Sequence, residues 1–349
     1  MSDERTGREP RLSGDLLGDL GSGHEPMLGG EALQKLYRDE LLKRLFKTQT
    51  THLRREAIGY WLAHAGDPRP GIGLREDGLP DFAWHPVRGG EIAIGDFKRT
   101  FRAENIFIAS FPVTWAQYRI FLEAPDGFVD PAWWDGLRQR PEYERTAVLF
   151  DNYPAQEVSW YDAIAYTRWL NARLDYDVRL PTEAEWQMAA SDGDPINVFP
   201  WGPEWNPKHA NTRESGLRRA TAVGMYPLAE AKCGALDMAG TALEWCMSSY
   251  IDPDDNSLDG GGARTLRGGS WFLTSGAART FARTGDNPYF RFNSVGFRLA
   301  ADSIEPRRGR SSVAEIADTT SETERAESTD DQHPAQPDTE SSPPANPIQ

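Results

Sequence analysis

Cysteine is almost missing from this chain: 349 residues contain two, Cys233 and Cys246, too few for a disulfide framework. No run of about 18 apolar residues occurs, so nothing in the sequence reads as a membrane-spanning helix. The first residues, MSDERTGREPRLSGDLLGDLG, lack the apolar core behind basic residues that marks a secretory signal. These absences together set a cytoplasmic protein with no membrane partner as the expectation. A basic excess is missing too. The net charge is -15, whereas a surface that tracks phosphates needs positive charge, so a nucleic-acid partner is not expected. Large apolar residues give out after Ile316, apart from Ile348. Residues 302–349 hold 11 acids against four arginines and cannot bury enough surface to offset ordering entropy, which predicts a disordered acidic tail.

What remains is ordinary in hydrophobicity, 39% over the whole chain, and organised. Residues 1–30 are rich in Gly, Asp, Arg and Ser and read as a flexible leader. Leu33, Leu36, Tyr37, Leu41 and Leu45 fall near helical spacing, and Leu53, Ala57, Trp61 and His64 share a face before Gly66-Asp67-Pro68. Residues 31–79 are therefore a helical region whose hairpin braces the rest or contacts another protein. The stretches 91–97 and 105–111 alternate as half-buried strands do. Three helix starts follow, Thr114 with Gln117, Ser159 with Asp162, and Thr182 with Glu185, each a hydroxyl three residues before a side chain that can reach back. They open helices at 115–123, 160–174 and 183–190. Beyond 190 the periods fade, and Trp160, Trp169, Trp186, Trp201, Trp205, Trp245 and Trp271 are expected to pin long loops by packing. Residues 80–301 thus form one α+β domain.

Within it, residues 267–298 stand apart. Two rigid ends, Arg267-Gly268-Gly269-Ser270-Trp271 and Val295-Gly296-Phe297-Arg298, enclose a middle with no regular period. There Phe272, Phe281, Tyr289, Phe290 and Phe292 are interleaved with Thr, Ser, Gly and Asn, with no lysine and Asp286 as the one acid. Flat aromatics with short polar residues make up a paratope. The same composition suits a long loop with its aromatics turned into the core.

Phe111-Pro112-Val113-Thr114-Trp115, Val158-Ser159-Trp160-Tyr161-Asp162, Arg179-Leu180-Pro181-Thr182-Glu183-Ala184-Glu185-Trp186, Phe199-Pro200-Trp201-Gly202 and Gly240-Thr241-Ala242-Leu243-Glu244-Trp245, with the two ends above, resemble the formylglycine-generating enzyme (sulfatase-modifying factor) family over about 200 residues. The resemblance implies a C-type lectin-like fold. Catalysis in that family uses a copper-loaded thiol pair just after Gly-Gly-Ser, and by spacing those positions fall near Leu273 and Ala278, neither of them a metal ligand. Related iron-dependent sulfoxide synthases take metal through histidines of a helical domain; His52 and His64 are the histidines of this one. The family's calcium sites are matched in part by Asn211 and Glu244, which makes calcium a possible cofactor. The implied reading is a non-enzyme, with an oxidase or oxygenase holding an unrecognised metal site as the alternative.

A second resemblance is to the variable proteins of diversity-generating retroelements, whose final segment runs from Gly-Gly-Ser-Trp to Gly-Phe-Arg-Leu through positions rewritten at adenines. Arg279, Arg283, Pro288 and Arg291 fall on the fixed marks of that segment, and the residues between can arise from asparagine codons. The resemblance implies that an unknown ligand, expected to be a protein, is met by Phe272, Leu273, Thr274, Gly276, Ala277, Phe281, Ala282, Thr284, Gly285, Asp286, Asn287, Tyr289, Phe290, Phe292, Asn293 and Ser294. On this reading Trp271, Trp245 and Phe297 belong to the frame beneath.

Overall fold

In a computed structural model, residues 31–140, 150–258 and 261–307 are described, with side chains from residue 38. The expected leader and nearly all of the expected tail lie outside these residues. The described residues up to Pro306 belong to one compact unit, to which everything below belongs. Among the described residues no helix is long and apolar enough to cross a membrane.

Two helices come first, α1 (Glu31–Leu45) and α2 (His52–Ala65). The Thr51 side chain accepts from the Arg54 N–H and starts α2, and Gly66, at φ 78°, follows it. Leu41, Leu45, Ile58 and Leu62 pack against Ala222, Met225, Tyr226 and Ala229. Arg55, 1% exposed, donates to the carbonyls of Leu45 (3.0 Å) and Met225 (2.6 Å). The hairpin therefore sits on the domain as a brace. The contact is close enough that a Cβ at Gly59 would come within 2.7 Å of the Ala222 Cβ.

Among the described residues the domain has nine short strands and three further α-helices, α3 (Trp115–Glu123), α4 (Trp160–Asn171) and α5 (Glu183–Ser191). Each of these helices opens with the expected capping box, in which the hydroxyl accepts from the N3 backbone and the N3 side chain from the cap backbone. The strands β1 (Trp84–Val87), β4 (Ile106–Ala109) and β9 (Ala300–Ala301) form one sheet, and β2 (Gly90–Ala93) with β3 (Thr100–Ala103) a second. A third sheet has the order β7 (Arg283–Asp286), β6 (Arg264–Arg267), β5 (Leu243–Ser249), β8 (Val295–Phe297). All pairings are antiparallel except β5 with β8. The last strand thus returns to the first part of the domain, giving an α+β, C-type lectin-like domain with helices at its N-terminal side.

The expected strand at 91–97 is shorter, because the chain turns back after Ala93, where the Phe97 N–H meets the Ile94 carbonyl at 3.2 Å. The four-stranded sheet, lying where sequence periodicity fades, went unforeseen. Its strands are three to seven residues long, too short to establish a period.

Phe297 is fully buried, with its ring centroid 6.1 Å from Tyr118 and 5.7 Å from Tyr166. Trp160, Trp169, Trp186 and Trp245 are buried as expected, but Trp201, Trp205 and Trp271 are only half-buried. An ion pair also crosses the core. Arg298 donates through Nε and Nη2 to both oxygens of Glu244 (2.7 and 2.8 Å), and the Trp186 indole adds a third bond at 2.7 Å. Such a pair contributes little net stability, yet losing one partner would strand a buried charge.

Candidate binding surface

The segment from Phe272 to Ser294 crosses the outside of the domain, and most of its ties to the frame are made by backbone. The Leu273 carbonyl accepts from the Arg213 N–H (2.9 Å), the Pro288 carbonyl from Trp160 (3.1 Å), the Phe292 carbonyl from Glu157 (3.0 Å), and the Ser294 carbonyl from Leu243 (2.8 Å). The Ser275 N–H donates to the Glu214 carboxylate at 2.9 Å. Residues 283–286 pair with β6 as the edge strand β7, where no regular structure was expected, and residues 275–278 make a turn of 3₁₀ helix. Backbone bonds of this kind hold whatever side chain the residue carries.

The side chains that tie the segment down belong to a different set of residues. Arg283 meets Glu183, at the start of α5, through Nε and Nη2, both at 2.7 Å. Glu183 is fully buried and also accepts from Arg267 (2.9 Å) and the Thr265 hydroxyl (3.1 Å). Arg291 meets Asp162, in the first turn of α4, through Nε and Nη2, again both at 2.7 Å. Asp162 is the same residue that closes the α4 capping box by accepting from the Ser159 N–H at 2.8 Å. Bidentate guanidinium–carboxylate pairs fix orientation as well as distance. Thr280 is buried, with its hydroxyl on the Asn197 carbonyl (2.7 Å) and its own carbonyl accepting from Arg267 (2.6 Å). Ala278 and Pro288 are buried as well.

None of the 16 residues expected to meet a ligand is buried. Phe272 (60% exposed), Phe281 (43%), Phe290 (47%) and Phe292 (39%) stand in solvent, as do Thr274, Gly276, Thr284, Asn287 and Asn293. The Phe290 and Phe292 rings meet edge to face at 5.6 Å. Leu273, Ala277, Ala282, Gly285, Asp286, Tyr289 and Ser294 are half-buried, with Leu273 and Tyr289 leaning on the main core. Of the four fixed marks, Arg283, Pro288 and Arg291 point into the frame, while Arg279 is exposed with its guanidinium 5.9 Å from the Phe281 ring. Trp271 departs from the expectation of a frame residue. It is half-exposed, its indole donates to the Asn293 carbonyl at 3.2 Å, and its ring lies 5.8 Å from that of Phe272. It belongs to the edge of the surface.

The expected metal ligands do not form a donor set. Both oxygens of Glu244 are taken by Arg298 and Trp186, and a guanidinium in contact repels a calcium ion from the same carboxylate. The Asn211 amide oxygen accepts from the Ser215 hydroxyl (2.8 Å), and its nitrogen donates to the Arg219 carbonyl (2.9 Å). A calcium site built on these two residues therefore does not fit. In the helical region the His52 Nδ1 pairs with the Tyr226 hydroxyl and the His64 Nδ1 with the Tyr60 carbonyl, both at 2.8 Å. No group of three or more His, Cys, Asp or Glu able to hold a metal occurs among the described residues. Near the positions where spacing puts the family's copper thiols, Ala278 is buried and Leu273 half-buried. Cys246 lies in β5 and Cys233 points its sulfur at the Ala189 carbonyl; burial pushes both thiols up, away from the reactive thiolate.

Tyr250 is the residue that sequence reasoning missed. It follows β5, is half-buried, and lies over the Arg283 guanidinium at 4.3 Å. No local pattern around it signals this contact, 33 positions away.

A family model described as the sulfatase-modifying factor enzyme 1-like domain matches residues 84–303. The hercynine oxygenase of Mycolicibacterium smegmatis is 33% identical over 233 residues, which cover 56% of this chain and 52% of that protein. The inactive C-alpha-formylglycine-generating enzyme 2 of Bos taurus is 32% identical over 169 residues, 44% of this chain and 52% of its own. The chain thus spans about half the length of these curated relatives. Among solved structures, PvdO from Pseudomonas aeruginosa superposes with a TM-score of 0.51 at 22% identity, over 67% of this chain and 99% of its own. Treponema denticola variable protein 1 gives a TM-score of 0.49 at 20% identity, over 65% and 97%.

Proposed function

We propose that this chain, which belongs to the sulfatase-modifying factor enzyme 1-like family, is a non-catalytic binder that displays a diversified surface, residues 272–294, and is the target protein of a diversity-generating retroelement. One observation carries the reading. The segment is held by backbone groups and by the side chains of residues 280, 283 and 291, while every residue assigned to ligand contact keeps some exposure. A surface built in this way can be rewritten, Gly285 apart, with little disturbance to what holds it. The ligand is a protein on this reading, because a segment of this length matches the roughly 20–30 residues that one side of a protein–protein interface uses. Exposed phenylalanines beside a half-exposed tryptophan also suit protein partners.

The test is to sequence this segment across cells carrying the gene, together with the neighbouring DNA. Substitutions are expected at the 16 positions assigned to ligand contact, traceable to adenines of a nearby near-copy beside a reverse transcriptase, with Ala278, Thr280, Arg283, Pro288 and Arg291 unchanged. Changes spread evenly over buried and exposed positions would overturn the reading. A second reading, an oxidase or oxygenase, is favoured by kinship to a protein named hercynine oxygenase; kinship to one named inactive cuts the other way. Oxygen uptake above the buffer blank with copper and a cysteine-containing peptide, or stoichiometric iron by elemental analysis, would decide for the enzyme.

A further inference from the structure

Gly285 lies in the middle of β7, opposite Thr265 of β6. Its φ is not in the left-handed region, so its backbone would accept any residue. The obstacle to a side chain there is Tyr250. A Cβ at Gly285 would fall 2.3 Å from the Tyr250 Cγ, 2.6 Å from its Cβ and 2.7 Å from its Cδ1. These atoms are the root of the side chain, so a small tilt of the ring cannot clear them. The ring has to turn away from β7, and the backbone that carries it has to give slightly.

The surroundings permit that movement. Beneath the ring, Arg283 is also held by Glu183 and by the Phe97 ring, 5.2 Å from its guanidinium. The Tyr250 backbone stays tethered, since its N–H donates to the Ala263 carbonyl (2.9 Å) and its carbonyl accepts from Arg283 (2.8 Å). On the outer side the ring reaches solvent: Tyr250 is half-exposed and Ile251, the next residue, is 75% exposed.

We propose that Tyr250 is a specificity-determining scaffold residue of the binding surface, seated against β7 when residue 285 is glycine and displaced outward by any side chain there. The proposal rests on the display reading above. At Gly285 the segment offers no side chain of its own, and the root of the Tyr250 side chain, from outside the segment, occupies the space one would take. Aromatic rings of this kind give large contact at low entropic cost. One position in the segment thereby selects between two shapes of a fixed neighbour, and changes the surface by more than its own side chain.

Two measurements test this. Gly285→Ala and Gly285→Asn are made in the parent and in a Tyr250→Ala background, with the parent carrying 3-fluorotyrosine and residue 250 assigned from Tyr250→Phe. The expected result is a shifted fluorine resonance for residue 250, and a loss of melting temperature in the parent that largely vanishes in the Tyr250→Ala background. An unmoved resonance, or an equal loss in both backgrounds, would show that the strand and not the ring excludes a side chain. In the second measurement, libraries at the exposed positions of 272–294 are displayed on yeast and sorted on labelled hen lysozyme. Folded clones that retain Gly285 and bind should lose about tenfold in affinity on Tyr250→Ala. Binders indifferent to Tyr250→Ala refute the proposal alone, whereas folded libraries that never yield a binder refute the display reading on which it stands.

Discussion

Arg291 lies between Phe290 and Phe292, and the tripeptide sets frame and surface side by side. The Arg291 side chain is 7% exposed and that of Asp162 is 1% exposed. Replacing Arg291 with alanine leaves the Asp162 carboxylate buried with the Ser159 N–H of its capping box but without its counter-ion. Breaking a buried pair from one side costs about 3–5 kcal/mol. For a domain of this size each kcal/mol lowers the melting temperature by about 2–4 °C, so the fall should be about 6–20 °C. Phe290 and Phe292 are 47% and 39% exposed. Full burial of a phenylalanine is worth roughly 1.5–3 kcal/mol, so each of these rings, about half in water, contributes roughly 1 kcal/mol. Phe290→Ser and Phe292→Ser should therefore lower the melting temperature by only about 2–4 °C each. Arg291→Lys should recover little, because an ammonium cannot reproduce the two parallel bonds to one carboxylate. Thermal melts followed by circular dichroism compare all four variants. If Arg291→Ala melts within 2 °C of the parent, or if either flanking phenylalanine costs more than the arginine, the division between frame and surface drawn here is wrong.

Phe297→Ala empties a fully buried site between Tyr118 and Tyr166 and should cost about 3–5 kcal/mol. Trp271→Ala, half-exposed and holding one indole bond to the Asn293 carbonyl, should cost clearly less, and the order of the two in urea melts checks the assignment. Asp237 is a pH probe: burial pushes its carboxyl up to about 6, against the opposing N–H of Gly224. The folded pKa then exceeds the unfolded value, so this group's contribution to stability falls as pH rises from about 4 to about 6 and is flat above. The loss is on the order of 3 kcal/mol. Asp237→Asn, measured against the parent across that window, should remove this slope; parallel stability curves would refute it.

The legible parts of the fold were those whose chemistry is local. Thr114, Ser159 and Thr182 announce helices because the hydroxyl and its reciprocal partner stand three residues apart, and all three capping boxes form. The β5–β8 pairing could not be read that way. Its partners, such as Leu243 and Val295, are far apart in the chain, and the Glu244–Arg298 bond that crosses the core spans 54 positions. Glu244 was offered as a calcium ligand by the family resemblance, which does not show the distant Arg298 that takes both its oxygens. Composition left residues 272–294 open between a surface and a loop with its aromatics inside; the resemblance to the variable proteins turned the expectation to a surface, and neither could say what holds the segment.

What holds it gives the fixed arginines a physical reason. Asp162 and Glu183 each lie in the first turn of a helix, where unpaired backbone N–H groups and the helix dipole favour a carboxylate. Both carboxylates are thus placed by the scaffold, and each accepts one arginine of the segment, from 129 and 100 positions away. Asp162 is buried at a site the scaffold needs in any case, since it closes the α4 capping box, and Glu183 is shared with Arg267 and Thr265 of β6. A segment plugged into helix starts at Arg283 and Arg291, and tied largely by backbone elsewhere, leaves the exposed side chains of Thr284, Asn287 and Phe290 between them outside that anchoring. Placing the same arginines one position along the chain would turn them outward, leaving Asp162 without its arginine and Glu183 with Arg267 alone. On this argument the spacing of the two arginines, more than the aromatic content between them, is what the fold cannot give up.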